Sequence, residues 1–498
     1  MFSEAHGGLE LGHASSSPFF FFFAADFPAP LLSFRLPPNS QHQRKLQLIY
    51  FLLGNQVAGA EKQVCLGCQS SLTNLPAVHY KVGQCGNQIG LEWWQILTCE
   101  SSTFQESDRY PFFTHDEKLS ALCVDSELKV VRNLQKQIKR GVFRDSNLIL
   151  GQRGRGNNWA YGYHGARSDD EVSLLEKTME SFRKEVERKD CYCGTVLLHS
   201  LCGGTGSGLG ARLCETIRDE YPLGYILSVT VAPHQTGESP LQNYNSLLSL
   251  SWLQRYADGV LLFHNDDVLK RTANVLKNTT TVPTGTHPQI SFSSMNTYIA
   301  SCLAGLLYPI NMLKTGSKIS MGMEPWELLR SVCPIPAMKF LYTAQACKRG
   351  TAFWDSLASS VVHALPRESP SGHPHYSTSV LAVARSNQDD SFVHSQNSVL
   401  LKLKQAYRCV PWNPFPLDCW IDFKNIIDPG HHSHSLTVCA NSSSVMDLLK
   451  WVMEKAHVMY EAHAYLHWYW KYGCEEEDFR QAFDTLHSVI NDYSSVGD

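Results

Sequence analysis

The sequence predicts an α/β fold with a mostly parallel sheet, followed by a smaller α+β unit and a helical C-terminus. Three observations predict this fold. Between about residues 77 and 315, short apolar runs typical of buried strands alternate with runs of helical periodicity. Glycine-rich turns follow two of the strand-like runs, and the pattern changes after about residue 315. Strands that alternate with helices form a parallel sheet with helices on both faces.

The first part of the chain supplies strands and helices in regular order. The strand candidates are apolar and bounded by glycine, proline or polar residues: AVHYKV, YCGTVLLHSL, YILSVTVAP and GVLLFHND. Helix candidates lie between them: GQCGNQIGLEWWQIL, ARLCETIRDEY and SLLSLSWLQRYA. Ligands in such sheets bind at the carboxyl ends of strands, and both glycine-rich turns are predicted there.

The second part has a different pattern. MKFLYTA and LDCWIDF are predicted strands of a second unit, and residues 444–474 are predicted to form two long helices. Apolar residues recur there at helical spacing and are interpreted as core positions: Met446, Leu449, Trp451, Met453, Met459 and Tyr460.

Residues 1–76 differ from the rest of the chain and are predicted to be a poorly ordered N-terminal extension. They contain a phenylalanine run and serine and proline clusters without a sustained period. The apolar run at 18–32 is broken by Asp26, Pro28 and Pro30 and is too short for a membrane span. No basic stretch precedes it, so a signal peptide is not expected.

Composition excludes several classes of function. The 498-residue chain has a formal net charge of −4, which gives no electrostatic case for nucleic-acid binding. Its 16 cysteines are scattered, which favours reduced thiols in a cytosolic protein. Cys65 and Cys68 form a CxxC pair, but no second pair or histidine follows at zinc-finger spacing, so zinc is not favoured.

The stretch GGTGSGLG (203–210) predicts a phosphate site. Glycine lets the backbone approach a ligand closely, and a helix that begins directly behind the turn adds unpaired N–H groups. A tight turn without a ligand is the alternative. A P-loop requires lysine at the end of the motif, and none is present. The spacing also fits a dinucleotide-binding fingerprint loosely, so the motif alone leaves an NAD-type oxidoreductase open.

Five stretches taken together resemble the tubulin superfamily, from about Ala77 to about Tyr493. In chain order they are GQCGNQIG (83–90), GNNWAYGY (156–163), HSLCGGTGSGLG (199–210), QNYNSLLSLSWL (242–253) and HWYW (467–470). The resemblance implies a guanine nucleotide as the ligand. It also implies a GTP-binding domain over residues 77–315, an intermediate domain over 316–440 and C-terminal helices over 441–498.

The chain departs from ordinary alpha and beta tubulins. KYGCEEEDF replaces the glycine-rich turn near the end, and the long acidic tail is missing. NNWAYGYHGARSDDE and EEEDF look like the delta and zeta branch found with centrioles and basal bodies, and APHQTGESPLQNYNSLLSLSWLQRYADGVLLFHNDDVL favours zeta. The resemblance implies a GTP-binding microtubule protein of the cytoplasm, centriole or basal body, with other tubulins as partners. A non-polymerising GTP-binding adaptor is the alternative.

The resemblance assigns phosphate contacts to residues of three turns, with Gln84 reaching the phosphates or the metal. The matching residues are Gly83, Gln84, Cys85, Gly156, Asn157, Ser200, Gly203, Gly204, Thr205, Gly206 and Ser207. Cys202 replaces the first glycine of the family's loop, where a side chain could tilt the turn. Asp125 and Glu127 match the acidic loop near Mg²⁺, with contacts expected through water; a solvated acidic turn is the alternative.

The remaining assignments concern the base, the ribose and hydrolysis. Asn265 and Asn296 match the two amides that read guanine, and Phe292 matches the aromatic residue that stacks on the base. Glu238 aligns with an acidic residue at the ribose, and Gln242 replaces the next family glutamate. Glu327 matches the acid that completes GTP hydrolysis in the next subunit of a filament. It is expected on the surface opposite this chain's own nucleotide, so a GTPase activity would require stacked subunits.

Overall fold

The computed structural model describes residues 77–98, 112–114, 116–137, 142–165, 173–189, 191–237, 239–279, 290–310, 325–350, 353–387, 390–428 and 433–497. The predicted extension 1–76, with Cys65 and Cys68, therefore lies outside the described residues. Within them, no helix is both long enough and apolar enough to cross a membrane.

Ten strands of the described chain form one sheet. They are β1 (Ala77–Val82), β2 (Ala121–Asp125), β3 (Leu148–Leu150), β4 (Gly194–Ser200), β5 (Tyr225–Ala232), β6 (Gly259–His264), β7 (Phe340–Arg349), β8 (Ser377–Ser386), β9 (Leu417–Asp422) and β10 (Ser433–Ser442). Their order is β3-β2-β1-β4-β5-β6-β7-β10-β8-β9. The pairs from β3 to β7 and the β8–β9 pair are parallel, whereas β10 is antiparallel to both neighbours. The predicted α/β fold with a mostly parallel sheet is confirmed.

The helices of the first part are α1 (Gly83–Thr98), α2 (Leu128–Gln137), α3 (Trp159–His164), α4 (Leu174–Glu187), α5 (Gly210–Glu220), α6 (Gln242–Tyr256), α7 (Asn265–Thr279) and α8 (Phe292–Leu307). A π-helical turn, Gly204–Leu209, directly precedes α5. The later helices are α9 (Glu327–Val332), α10 (Trp354–Ala364), α11 (Ser391–Ala406), α12 (Val445–Glu461), α13 (Leu466–Trp470) and α14 (Glu476–Ser494).

Alternating side chains of the central strands pack against helices on both faces of the sheet. On β4, Leu197 belongs to an apolar cluster with α4, α5, α6, α12 and α14. Its neighbours Val196 and Leu198 belong to a second cluster with α1, α8 and α9. A third cluster joins β7 to β10 with α10 and α11. Burial on both faces explains why these strands are continuous apolar runs.

The predicted strands MKFLYTA and LDCWIDF of the second part lie in β7 and β9, and β7 joins the first sheet because Val260 on β6 pairs with Phe340. The structure corrects the expectation of two long helices over residues 444–474. Residues 444–474 contain one long helix and the five-residue α13, and the second long helix begins only at Glu476. Among the predicted core positions, Leu449 and Met453 are buried, and the other four pack partly buried against the same cluster.

Candidate nucleotide site

The turns after β1 and β4 touch at the carboxyl edge of the sheet. Gly83 begins α1 with φ +72°, a conformation that side chains with a Cβ rarely adopt. A Cβ at Gly83 would lie 3.0 Å from the backbone N of Gly206. Glycine is therefore required here by both conformation and space, and the backbones of two glycine-rich turns form one surface.

The turn after β2 joins this surface through a hydroxyl contact. The Ser126 and Thr205 hydroxyl oxygens are 2.6 Å apart and form a hydrogen bond. Asn87 on α1 donates from its amide to the carbonyl oxygens of Gly83 and Val124, at 2.9 and 3.0 Å. These bonds fix the ends of β1 and β2 relative to the π-helical turn.

The loop after β3 completes the arrangement. Gly156 and Asn157 both have left-handed backbones, with φ +53° and +51°. A Cβ on Gly204 would lie 2.6 Å from the carbonyl oxygen of Arg155, so this loop contacts the π-helical turn directly. The structure thus brings together the three predicted phosphate turns.

Several predicted phosphate residues keep polar groups available at this edge. The Gln84 side chain is exposed in the first turn of α1 and makes no hydrogen bond within the described part of the chain. The Ser207 hydroxyl is buried without a partner among the described residues. Burial raises the pKa of the Cys85 thiol to about 12, so the thiol stays neutral and does not repel a phosphate. Cys202 does not disrupt the turn, because its carbonyl oxygen accepts a 2.7 Å hydrogen bond from Asn245.

Asn245 on α6 holds the phosphate turns together, a role that the sequence analysis missed. Its amide nitrogen donates to the carbonyl oxygens of Asn157 and Cys202, at 2.8 and 2.7 Å. Its amide oxygen accepts from the Trp159 backbone N–H and the Tyr469 hydroxyl, at 2.9 and 2.7 Å. The residue lies within the motif QNYNSLLSLSWL, but its partners are too distant in sequence to be deduced from the motif.

Asn158 connects the same region to the C-terminal turn. Its side-chain oxygen accepts from the Tyr161 N–H at 3.1 Å and caps α3. Its side-chain nitrogen donates to the carbonyl oxygen of Trp468 on α13 at 3.1 Å. Tyr161 also stacks on Tyr472, with ring centroids 4.3 Å apart. The motifs GNNWAYGY and HWYW, far apart in sequence, therefore form one structural unit.

The carboxylates of Asp125 and Glu127 are hard oxygen ligands, the type that Mg²⁺ prefers. Asp125 ends β2 with 3 % exposure, and its Oδ2 has no hydrogen-bond partner within the described residues. Its Oδ1 accepts from the Glu127 N–H at 3.2 Å. Burial raises the pKa of Asp125 to about 6. Glu127 is exposed, and a Cβ on Gly154 would lie 2.6 Å from its Oε1, so its carboxylate reaches the loop after β3.

In the absence of nucleotide and Mg²⁺, the substitution Asp125→Asn is expected to stabilise the folded protein at pH 7.5. Because the folded-state pKa of about 6 exceeds the ordinary aspartate pKa of 3.8, ionisation in the folded state reduces stability as pH rises between these values. Asparagine cannot ionise, so we expect a gain of about 2–3 kcal/mol at pH 7.5 and little change at pH 4. Thermal unfolding of the parent and the variant at both pH values measures this difference in stability. The exposed Glu127→Gln is the control, and an equal change in both variants would contradict the prediction.

The residues predicted to read the base lie at the starts of two contacting helices. Asn265 begins α7 at the end of β6, and Phe292 and Asn296 lie in the first turns of α8. Phe292 is 64 % exposed, as a base-stacking ring requires before its ligand binds. In the described part of the chain, neither amide side chain makes a hydrogen bond, so both groups are available.

Of the two residues assigned to the ribose region, the structure describes only Gln242. Glu238 lies outside the described residues. Gln242 begins α6, is 6 % exposed, and donates from Nε2 to the carbonyl oxygen of His234 at 3.2 Å. Its amide therefore supports the loop between β5 and α6.

Glu327 begins α9 at the opposite edge of the sheet. Trp326 stacks on Tyr225 at the start of β5, with ring centroids 5.8 Å apart. The Leu329 side chain packs against Gly259 at the start of β6, where a Cβ would lie 2.3 Å from the Leu329 Cδ2. The phosphate turns follow the other ends of their strands, so Glu327 lies at the sheet edge opposite these turns, and its role toward a nucleotide stays a prediction. The expectation of a surface carboxylate is wrong, since Glu327 is 9 % exposed: α9 packs against β8 and β10.

Comparisons with a family model and with known proteins show what the chain is similar to. Residues 77–273 match the model of the Tubulin/FtsZ family, GTPase domain. Similar proteins include a tubulin delta chain of Homo sapiens, 29 % identical over 467 residues, with 84 % of this chain and 99 % of the relative covered. A tubulin delta chain of Canis lupus familiaris is 28 % identical over 474 residues (85 % and 100 % covered). A tubulin beta chain of Schizophyllum commune is 26 % identical over 450 residues (84 % and 95 % covered).

Proposed function

We propose that the chain binds GTP with Mg²⁺. The premise is that residues 77–273, which match the model of the Tubulin/FtsZ family, GTPase domain, form such a domain. The observation that carries this proposal is the convergence of three glycine-containing turns at one edge of the parallel sheet, with backbone approaches too close for side chains. Backbone N–H groups of such turns bind phosphates. Asp125 and Glu127 would hold Mg²⁺, which would neutralise charge on the phosphates.

Extraction of the nucleotide from purified protein tests the proposal directly. We expect GTP or GDP in near-equimolar amount after denaturation and chromatography. A dinucleotide would instead support the oxidoreductase suggested by the GTGSGLG spacing alone. Protein that contains no nucleotide and binds neither GTP nor GDP when titrated would contradict the proposal.

Base selectivity provides a second test. Asn265→Ala combined with Asn296→Ala should weaken GTP binding by at least tenfold, because each lost hydrogen bond at a desolvated polar edge costs about 1–3 kcal/mol. Neither amide supports the fold through a hydrogen bond in the described chain, so the unfolding midpoint should change little. Calorimetric titration with GTP and ATP measures the effect. An unchanged preference for GTP over ATP would remove both amides from base recognition.

For the cellular role, we propose a cytoskeletal protein that works with other tubulins at microtubules of centrioles or basal bodies. The relatives named tubulin delta chain support the delta side of the delta and zeta resemblance, and the zeta preference stays a prediction. The alternative is a GTP-binding adaptor that does not polymerise. Sedimentation with GTP, with and without alpha and beta tubulin, separates the two: pelleting of the chain alone favours a polymer subunit, and pelleting only with microtubules favours the adaptor.

Hydrolysis would require a second subunit, because Glu327 lies at the sheet edge opposite the phosphate turns. A carboxylate orients water only within about 3 Å or through one bridging water. Glu327 is 9 % exposed, so its carboxylate would have to become more accessible to act in a neighbouring site. Phosphate release measured against protein concentration tests this role, and turnover that Glu327→Ala leaves unchanged would exclude it.

A further inference from the structure

A pair of cysteines lies directly before β4, at the edge of the sheet opposite the phosphate turns. The Sγ atoms of Cys191 and Cys193 are 3.7 Å apart. Both residues are partly exposed, so a small molecule can approach them, and neither belongs to the candidate nucleotide site. Sulfur atoms of a disulfide are about 2.05 Å apart, so a modest movement of the two side chains brings these sulfurs to bonding distance.

The residue between the two cysteines fixes their backbone. The Tyr192 ring packs edge-on against Phe182 and Tyr221, with ring centroids 5.6 and 5.2 Å apart. Its hydroxyl forms a 2.7 Å hydrogen bond with the Thr195 hydroxyl. Tyr192 packs against the apolar cluster on one face of the sheet, and Cys193 packs against the cluster on the other face. The segment is therefore ordered before any reaction, which lowers the entropy cost of joining the two thiols.

A lysine lies beside this pair. Lys189 Nζ donates a 2.9 Å hydrogen bond to the carbonyl oxygen of Ala77, which pairs with Gly194 at the start of β4. Burial lowers the pKa of Lys189 to about 7, and the lysine interacts electrostatically with the Cys193 thiol. The lysine is therefore partly protonated at neutral pH. A protonated lysine beside a thiol favours the thiolate, which is the reactive form of cysteine.

Two comparisons within the chain favour thiol chemistry at this pair. Burial raises the pKa of the Cys123 and Cys214 thiols to about 12, which makes these core cysteines unreactive. A structural zinc ion requires four ligands. The described residues contain no group of three or more histidine, cysteine, aspartate or glutamate side chains that could hold a metal.

We propose that Cys191 and Cys193 form a reversible disulfide by exchange with a low-molecular-weight disulfide such as glutathione disulfide. One protein thiolate attacks a sulfur of glutathione disulfide, which forms a mixed disulfide and releases one glutathione. The second protein thiolate attacks the protein sulfur of the mixed disulfide, which forms the bond between the two cysteines and releases the second glutathione. The protein thiols are oxidised, glutathione disulfide is reduced, and the two protons pass to the released glutathione thiolates. This inference does not depend on the proposed GTP binding.

Oxidation of the reduced full-length protein by glutathione disulfide, followed by alkylation, digestion and mass spectrometry, tests the proposal. We expect a disulfide between Cys191 and Cys193, which excess reduced glutathione should reverse. Cys191→Ser and Cys193→Ser each remove one of the two thiols that the second step requires. Each variant should accumulate at least about tenfold more mixed disulfide at its remaining cysteine than the parent does, because a neighbouring thiol reacts at a high effective concentration.

Cys409→Ser is the matched control. Cys409 is also partly exposed but contacts no other cysteine in the described part of the chain, so this variant should oxidise like the parent. The proposal is wrong if Cys191 and Cys193 of the parent stay reduced while Cys409 reacts with glutathione disulfide. It is also wrong if the parent accumulates as much mixed disulfide as the serine variants, or if either residue forms its disulfide with a different cysteine.

Discussion

Replacement of Asn245 by alanine is expected to lower the free energy of unfolding by about 3–5 kcal/mol and to abolish detectable nucleotide binding. Asn245 is fully buried, and its amide makes four hydrogen bonds to the loop after β3, the start of α3, the turn after β4 and α13. Alanine leaves the Trp159 N–H buried without an acceptor, and the Tyr469 hydroxyl keeps only a long 3.4 Å bond to the Leu241 carbonyl oxygen. Denaturant unfolding and calorimetric titration with GTP measure the two effects.

Two further variants identify the cause of the Asn245 effect. Asn243 lies on the same helix, and its amide nitrogen donates only a weak 3.7 Å bond to the Met459 sulfur, so Asn243→Ala should cost under about 1 kcal/mol. Asn245→Asp keeps the acceptor oxygen and loses the two donated bonds, and it should weaken nucleotide binding while retaining part of the stability. If Asn245→Ala behaves like Asn243→Ala, the amide does not hold the turns together.

Local chemistry explains which parts of the fold were predictable. Strands buried on both faces are apolar throughout, and glycine at a strand–helix junction marks a close backbone approach. The sequence therefore predicts β1, β4, β5 and β6 and the turns at Gly83 and Gly203–Gly206 within a few residues. These features depend on residues that are neighbours in the chain.

The features that sequence reasoning missed depend on distant partners. Asn245 bonds to Trp159, 86 residues away, and to Tyr469, 224 residues away, and nothing in its own motif indicates these contacts. A second long helix was predicted within residues 444–474 because the apolar spacing continues beyond α12, but α13 has only five residues. Between these helices His463 and Tyr465 have φ of +49° and +60°. The bond from Asn158 to the Trp468 carbonyl oxygen fixes this turn against the phosphate loop.

The burial of Glu327 also depends on residues that are distant in the sequence. Helical spacing places its carboxylate in the first turn of α9, but packing of α9 on β8 and β10 decides its exposure. Those strands lie more than 40 residues later in the chain. Sequence resemblance could therefore match the residue and its edge of the sheet, whereas its burial required the structure.

Replacement of Gly208 by alanine is expected to destabilise the protein by about 2–4 kcal/mol and to lower nucleotide affinity by at least tenfold. A Cβ at Gly208 would lie 2.1 Å from the Trp159 carbonyl oxygen and 2.7 Å from the Tyr163 backbone N. Both atoms belong to α3, so a side-chain rotation cannot relieve the clash, and the π-helical turn must move away from α3. Since α3 directly follows the loop that carries Arg155, Gly156 and Asn157, this movement would separate the phosphate turns.

Gly203→Ala is the matched control for the Gly208 experiment. Gly203 lies in the same glycine-rich stretch, but a Cβ there would meet only the Ser200 hydroxyl oxygen, at 3.6 Å, an ordinary contact. We therefore expect Gly203→Ala to unfold at the parent's midpoint in the absence of nucleotide, whereas Gly208→Ala unfolds earlier. If the two variants have equal stability, backbone contact between α3 and the π-helical turn does not hold the site together. If Gly203→Ala keeps the parent's stability but loses GTP binding, the close approach of backbone to phosphate occurs at Gly203 itself.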